Sequence, residues 1–345
     1  MSYSRRAALA VTTAAVALGL MACSGGGSSD EVGGAQPAQV GAAESSVINL
    51  YAYAVPKVGF DKVIPAFTAT PAGAGVEFRQ SYGASGDQSR KVAAGAEADV
   101  VNFSVAPDIT RLVDAGLVAS DWNAVANGGV AFGSVVTIVT REGNPKNIRD
   151  WDDLLAPGLE VVTPNPFSSG SAKWNLLAPY SAKSDGGKNP DAGLAYITTL
   201  VNDHILVQPK SAREATETFL QGTGDVLLSY ENEALFIEQT EPVDHVTPPT
   251  TFRIDNPVAV LKDSPNLEAA TAFRDYLFTP EAQRLWAEAG FRPTDADVAV
   301  EFADKFPAPE KLWTIDDLGG WGVVDPELFA KETGKIAVIY EAATS

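Results

Sequence analysis

The chain has few of the residues that build covalent or metal-based sites. Its 345 residues include one cysteine, Cys23, and two histidines, His204 and His245. A single cysteine excludes a disulfide within the chain, and so small a set of soft ligands excludes a His/Cys metal cluster. We find no Walker A sequence, no G-x-S-x-G elbow and no dinucleotide-binding glycine fingerprint. We therefore expect no metal, no cofactor and no enzymatic activity.

Positive charge is also scarce. The chain carries 25 lysines and arginines against 44 acidic residues, which gives a net charge of −19 at pH 7. Such a chain repels nucleic-acid phosphates, so we expect no nucleic-acid partner. It repels free anions as well. An anion site in this protein must therefore rest on local hydrogen-bond donors and not on long-range attraction.

The N-terminal segment has the pattern of an export signal. Two arginines precede the apolar stretch Ala7 to Leu20, and Leu20-Met21-Ala22-Cys23 resembles a lipobox. We predict a signal peptide over residues 1–22, then a lipidated Cys23 and a Gly/Ser-rich tether over residues 23–46. This anchor would hold the protein on the extracytoplasmic face of the cell membrane. A retained membrane helix is the alternative, and Sec and twin-arginine export both stay open.

From Val47 onward, short β-branched runs alternate with helical patterns, which is typical of an α/β fold with largely parallel sheets. The length fits two lobes. We predict a first lobe at 47–134 plus 250–295, a second lobe at 135–249 and a C-terminal extension at 296–345. The predicted strands are Val47–Tyr53, Val76–Gln80, Val100–Phe103, Val135–Thr140, Leu159–Thr163, Ile205–Gln208, Val226–Tyr230 and Val258–Leu261, and the predicted helices are Arg90–Gly95, Ile109–Gly116, Ala172–Leu177, Pro190–Val201, Arg213–Gln221, Leu267–Leu277 and Pro280–Ala289.

Three segments share one order of features: a strand, a small polar turn and a helix. The turns lie around Ser85, around Ser169 and around Ser211. A helix start presents unpaired N–H groups and a partial positive charge, so three such starts can surround a small tetrahedral anion. Each turn taken singly also fits a structural cap, because Ser85 with Gln88 and Ser211 with Glu214 have capping-box spacing.

Two acidic clusters have the composition for acid–base chemistry or Ca²⁺ binding. They are Asp150-Trp151-Asp152-Asp153 and Glu231-Asn232-Glu233. We interpret both as helix starts or solvated surface. Asp87 lies one turn into the first of the three helices and is the carboxylate that would weaken a site built only of donors.

An ordered set of motifs between about Asn49 and Gly320 resembles the sulfate- and thiosulfate-binding proteins of ABC importers. The resemblance implies a two-lobed type II periplasmic binding protein fold, in which each lobe is a mixed, mostly parallel sheet flanked by helices and the ligand lies in the cleft. The motifs are Arg79-Gln80-Ser81-Tyr82-Gly83-Ala84-Ser85-Gly86, Glu97-Ala98-Asp99-Val100-Val101, Gly143-Asn144-Pro145-Lys146, Thr163-Pro164-Asn165-Pro166 with Ser169-Gly170 and Trp174-Asn175, Gly224-Asp225-Val226-Leu227, Glu231-Asn232-Glu233-Ala234 and Phe291-Arg292-Pro293.

The resemblance also implies the ligand-binding residues. Backbone N–H groups and two side-chain hydroxyls would hold the anion, and Tyr230 stands where sulfate-specific members carry a tryptophan whose indole N–H donates. Ser171 stands where the family often has glycine, which a backbone contact tolerates. The implied backbone donors are Ser85, Gly170, Ser171 and Ala212, and the implied side-chain donors are Ser169 and Tyr230.

The function that the resemblance implies is capture of sulfate or thiosulfate, by a monomer, for an ABC permease and ATPase complex. A site made only of donors suits sulfate, because hydrogen phosphate would bring an O–H that meets no acceptor. Another oxyanion, such as molybdate or phosphate, is the alternative within transport. A secreted hydrolase or lyase, and a sensory or adhesion lipoprotein, are the alternatives outside it.

The lipobox generates a first prediction. Cys23→Ala removes the thiol that would carry the lipid, so we expect release or misprocessing of the protein without a change in ligand affinity. Cell fractionation with an immunoblot measures the first effect, and titration of the purified variant measures the second. Normal membrane retention of the variant would refute the anchor.

Overall fold

The structure is a computed structural model, and it describes residues 46–344. The predicted signal peptide and Cys23 lie outside these residues. Within 46–344, no helix is both long and apolar enough to cross a bilayer.

Strands and helices alternate along the described part of the chain. The strands there are β1 (Val47–Tyr53), β2 (Glu77–Gly83), β3 (Val100–Asn102), β4 (Val130–Arg141), β5 (Val161–Val162), β6 (Ile205–Val207), β7 (Val226–Tyr230), β8 (Val243–Val246), β9 (Thr250–Val260), β10 (Arg292–Pro293) and β11 (Lys311–Trp313). The α-helices there are α1 (Lys57–Thr68), α2 (Ser85–Ala93), α3 (Ala106–Asp114), α4 (Gly170–Ser184), α5 (Pro190–Thr199), α6 (Ala212–Leu220), α7 (Glu231–Ile237), α8 (Leu267–Tyr276), α9 (Pro280–Glu288), α10 (Ala296–Glu301), α11 (Trp321–Val324) and α12 (Lys335–Thr344).

The strands follow the order β2-β1-β3-β9-β4-β7-β5-β6. The strands at the two ends of this order pair in parallel, β2 and β3 with β1, and β6 and β7 with β5. Between these parallel groups, β9 and β4 pair antiparallel with each other and with their outer neighbours. Because helices connect the parallel strands, each parallel group forms its own helix-flanked sheet.

The two sheets are joined by the long strands β4 and β9. The first half of β4 pairs with β9, and its second half, from Val136 to Thr140, pairs with β7. In β9, residues up to Pro257 pair with β4 and Val258 to Val260 pair with β3. This exchange of partners confirms the two-lobed α/β fold. The lobe boundaries given above stay predictions.

The C-terminal region from residue 296 is part of this framework. Strand β11 pairs in parallel with the start of β9, through Lys311 to Trp313. Helix α12 lies against α5. The predicted extension therefore adds a strand to the connection between the sheets.

Helix α1 and the first half of β9 are elements that the sequence analysis missed. Helix α1 contains Gly59 and Pro65, which are poor helix formers. Its buried residues Phe60, Val63, Ile64 and Phe67 nevertheless recur at helical spacing, and this is the signal that reveals it.

Aromatic residues from several elements pack in the core of the first lobe. The Trp286 ring, from α9, lies 5.0 Å from the Phe60 ring and 3.9 Å from the Phe132 ring, measured between centroids. All three side chains are fully buried. A Cβ atom on Gly59 would lie 2.0 Å from a ring carbon of Trp286, so α1 can approach α9 only because residue 59 has no side chain.

This close approach generates a second prediction. Gly59→Ala should lower the free energy of unfolding by about 1–3 kcal/mol or more, because the added methyl group overlaps a rigid buried ring. Gly322→Ala is the matched control: Gly322 is also helical, and a Cβ there would meet no atom of the described part of the chain within 4 Å. Alanine is the better helix former, so the control should be neutral or slightly stabilising. Equal unfolding midpoints in urea for both variants would contradict this account.

Candidate functional site

The three predicted turns all end in helix starts. Helix α2 begins at Ser85 after β2, α4 begins at Gly170 after β5, and α6 begins at Ala212 after β6. In each case the turn follows the carboxyl end of a parallel strand, where ligands of open α/β sheets bind. The first N–H groups of each helix have no partner within the helix.

The starts of α2 and α4 face each other across the gap between the lobes. The Gly86 N–H donates to the carbonyl of Ser168 at 3.1 Å. Gly170 lies so close to the first lobe that a Cβ there would be 2.9 Å from the Ser104 Cβ. The lobes therefore touch through main chain at this point, and a glycine at position 170 is needed for the contact.

The start of α6 adjoins the same place through the loops that precede it. The Asn165 N–H donates to the carbonyl of Pro209 at 2.8 Å. The Ser168 hydroxyl donates to the carbonyl of Lys210 at 2.7 Å. The structure thus connects the second and third turns directly, and connects the second turn to the first through Ser168.

The serines at these three helix starts have different roles. Ser211 caps α6, because its hydroxyl accepts the Glu214 N–H at 3.2 Å. Ser169 is the N-cap residue of α4 and is buried, yet its side chain makes no capping hydrogen bond. Its hydroxyl is therefore not used to cap α4.

The capping box expected at Ser85 and Gln88 is wrong. The N-cap residue of α2 is Ala84, and no side chain among the described residues caps this helix. The Ser85 hydroxyl instead donates to Asp108 Oδ2 at 2.6 Å. Because Asp108 comes from the next helix, this bond fixes α2 against α3.

Ser104 is a residue at this site that the sequence analysis missed. It follows β3 and is buried. Its N–H donates to Ser85 Oγ at 3.0 Å, and its hydroxyl lies 2.7 Å from the Tyr230 Oη. Its carbonyl accepts the Trp174 indole N–H at 2.8 Å and the Asn256 amide at 3.3 Å. The available signal was weak: one small polar residue at the carboxyl end of a strand.

Two phenols, those of Tyr53 and Tyr230, end strands β1 and β7 and are buried. Their ring centroids are 6.5 Å apart. Burial raises the pKa of the Tyr230 phenol, although hydrogen bonds from Ser104, Ser171 and Asn256 oppose the rise. Burial also raises the pKa of Tyr53, and Tyr230 and Glu233 add to that rise. Both phenols therefore stay protonated at neutral pH and keep an O–H to donate.

Carboxylates near the helix starts are paired with arginines. Asp87 pairs with Arg90, and Asp108 pairs with Arg111 at 2.7 Å. The side chain of Asp87 is one-third exposed, so it does not face a closed cavity. The negative charge that would weaken a donor-only site is neutralised by these pairs.

The two acidic clusters are helix starts, as expected. Asp150 forms a capping box with Asp153. Glu231 and Glu233 begin α7 but are buried, so a solvated surface is wrong for them.

Each of the two buried glutamates has an arginine partner. Arg292 binds Glu231 through two hydrogen bonds of 2.6 and 2.8 Å, and Arg213 lies 3.2 Å from Glu233. Burial raises the pKa of Glu233 against the opposing effect of Arg213.

The two histidines lie apart from the helix starts. His204 Nδ1 contacts the carbonyl of Leu159 at 3.0 Å, and His245 Nδ1 contacts Glu238 at 2.6 Å. Among residues 46–344, no group of three or more His, Cys, Asp or Glu side chains is placed to hold a metal ion. The polar side chains around the helix starts include serine, tyrosine and asparagine, and the carboxylates there pair with Arg90 and Arg111, which line the same cleft as Lys173.

Comparison with known proteins defines the class. The sequence model of the bacterial extracellular solute-binding protein family matches residues 48–292. The sulfate-binding protein SubI from Mycobacterium tuberculosis H37Rv is 64% identical, with a TM-score of 0.81, over 82% of this chain and 99% of that one.

Curated relatives agree with this class. The sulfate-binding protein of Synechococcus elongatus is 39% identical over 95% of this chain and 93% of its own length. The thiosulfate-binding protein of Pseudomonas aeruginosa is 32% identical over 74% of this chain and 80% of its own. The fold and the sequence together define an extracellular solute-binding protein. The chain belongs to the sulfate- and thiosulfate-binding group of this family, which confirms the resemblance seen in the sequence.

Proposed function

We propose that this protein is the extracytoplasmic, lipid-anchored binding protein of an ABC importer and that it captures sulfate. The observation that carries the proposal is the meeting of two uncapped helix starts, α2 and α4, across the lobes, next to a third at α6. Relatives named as sulfate- and thiosulfate-binding proteins support the same ligand class. Thiosulfate is the second candidate.

In this proposal neutral groups hold the dianion. Hydrogen bonds from helix N-termini stabilise an anion without a cationic side chain. The hydroxyl that Ser169 does not use for capping is one side-chain donor, and the protonated phenol of Tyr230 is the other. The backbone donors are the N–H groups of Ser85, Gly170, Ser171 and Ala212.

The chemistry of the donors favours sulfate over hydrogen phosphate. Sulfate has no proton near neutral pH, so every contact can be a donated hydrogen bond. Hydrogen phosphate would bury an O–H, and an unpaired buried polar group costs about 1–3 kcal/mol. Of the two nearby carboxylates, Asp108 already accepts hydrogen bonds at both oxygens, from Ser85 and Arg111, and Asp87 is one-third exposed and pairs with Arg90.

The remaining parts of the proposal follow from the same role. Cys23 carries the lipid anchor, and residues 47–134 with 250–295 and residues 135–249 are the two lobes that enclose the ligand. The protein acts as a monomer, delivers its ligand to a permease and ATPase complex and catalyses no reaction. The relatives are named as binding proteins, which supports a role without catalysis.

Calorimetric titration of the purified protein with sulfate, thiosulfate, molybdate and phosphate tests the function. We expect the tightest binding with sulfate and the weakest with phosphate. Binding of phosphate or molybdate in preference to sulfate would refute the proposed ligand. Absence of binding to all four anions would refute oxyanion capture.

The Ser169 hydroxyl generates a third prediction. Ser169→Ala should weaken sulfate binding about 10- to 150-fold, because a hydrogen bond to a charged group contributes about 1.5–3 kcal/mol. The thermal stability of the empty protein should barely change. Ser181→Ala is the matched control: Ser181 is a buried serine of the same helix, and in the described part of the chain its hydroxyl has no hydrogen-bond partner. Equal affinities for the two variants would remove Ser169 from the site.

The absence of a titrating group among the proposed donors generates a fourth prediction. Burial raises the pKa of the Tyr230 phenol, so this donor keeps its proton. Both histidines are bound elsewhere, to Leu159 and Glu238. Sulfate affinity should therefore change less than about twofold between about pH 5 and pH 8, the range in which histidine titrates. A loss of about tenfold or more, equivalent to one pKa unit of linkage, would place an ionisable group in contact with the anion.

A further inference from the structure

Ser104 is the point at which the two lobes exchange side-chain and main-chain hydrogen bonds. It belongs to the β3–α3 connection of the first sheet. Tyr230 is the last residue of β7 and Trp174 lies in α4, and both belong to the second. The Ser104 hydroxyl meets the Tyr230 phenol at 2.7 Å, and its carbonyl accepts the Trp174 indole at 2.8 Å. Ser104 is not among the ligand donors of the proposed site, so these hydrogen bonds serve another purpose than direct contact with the anion.

The hydrogen bonds around Tyr230 limit the direction in which the phenol O–H can point. A phenol has one hydrogen to donate and an oxygen that can accept. Hydrogen bonds from Ser104, Ser171 and Asn256 act on that oxygen. Two hydroxyls in contact share one hydrogen between their oxygens. If Ser104 donates to Tyr230, the phenol hydrogen is left to point elsewhere.

The other groups of Ser104 fix its position independently of the hydroxyl. Its N–H is bound to Ser85, and its carbonyl is bound to Trp174 and Asn256. The backbone therefore holds Ser104 in one place whichever way its hydroxyl turns. An anion next to Tyr230 would attract the phenol hydrogen, and the Ser104 hydroxyl would then donate into the phenol oxygen. Hydrogen bonds in such a chain strengthen one another.

We propose that Ser104 is a positioning residue: its hydroxyl donates to the Tyr230 oxygen and thereby directs the phenol O–H at the bound anion. The inference rests on the proposed function, because it requires an oxyanion at the helix starts. It explains how a phenol, whose O–H turns about its C–O bond, can present its hydrogen in one direction. An indole N–H has a fixed direction, whereas a phenol O–H rotates and needs a partner to orient it.

A double-mutant cycle on the full-length protein tests the inference, with sulfate affinity measured by calorimetry. Ser104→Ala keeps all three main-chain hydrogen bonds and deletes only the hydroxyl. We expect it to weaken sulfate binding about 3- to 10-fold, the size of one net hydrogen bond. In the Tyr230→Phe background the same change should alter affinity less than about twofold, because the oxygen it orients is gone.

Two comparisons separate positioning from a structural role. Ser181→Ala deletes a buried hydroxyl that has no hydrogen-bond partner within residues 46–344, and it should leave affinity unchanged. The inference would be overturned if Ser104→Ala weakened sulfate binding equally in the wild-type and Tyr230→Phe backgrounds. It would also be overturned if Tyr230→Phe weakened binding and Ser104→Ala did not. Failure of the wild-type protein to bind sulfate would refute the proposed function itself, and with it this inference. If the wild-type protein binds sulfate and Tyr230→Phe binds it with the same affinity, the role of the phenol and this inference are refuted. The proposed function is not.

Discussion

The main-chain contact between Gly86 and Ser168 determines much of the arrangement around it. This hydrogen bond of 3.1 Å brings the first turn of α2 to the residue just before the N-cap of α4. Two helix starts of like partial charge repel each other, and the Ser168 carbonyl that accepts the Gly86 N–H lies between them and offsets part of this repulsion. In a protein with a net charge of −19, such fixed dipoles add a local positive potential at the helix starts, where Arg90, Arg111 and Lys173 also lie.

Much of the fold could be predicted because local pattern and tertiary structure agree. Strands β1 and β7 match their predicted bounds, since each is a short apolar run between polar segments. The long strand β9 was predicted only at its end. Its earlier residues pair with β4 and β11. This pairing holds Arg253 and Asp255 in a strand despite their polar character, and the neighbouring sequence does not predict it.

The helix starts of the candidate site could also be predicted, because local pattern and tertiary structure agree there. The hydrogen-bond network that supports these helix starts could not. The hydrogen bond between Ser104 and Tyr230 joins residues 126 positions apart, and Asp108 reaches Ser85 across 23. The burial of Glu231 was missed because a carboxylate is normally exposed, and only its partner Arg292 makes burial tolerable. Such partners come from distant segments, and a single sequence carries no record of which segments meet.

The pairing of β3 with β9 also has a kinetic consequence. Val100 and Val260 are neighbours in the sheet, so the centre of the first lobe cannot form until the chain has been synthesised past residue 260. Loop closure over such a separation costs entropy before any contact compensates, and folding with a high contact order is slow. The first lobe of a nascent chain therefore stays open through most of the synthesis. The second lobe, whose strands β5, β6 and β7 lie within one continuous segment, is free to fold first.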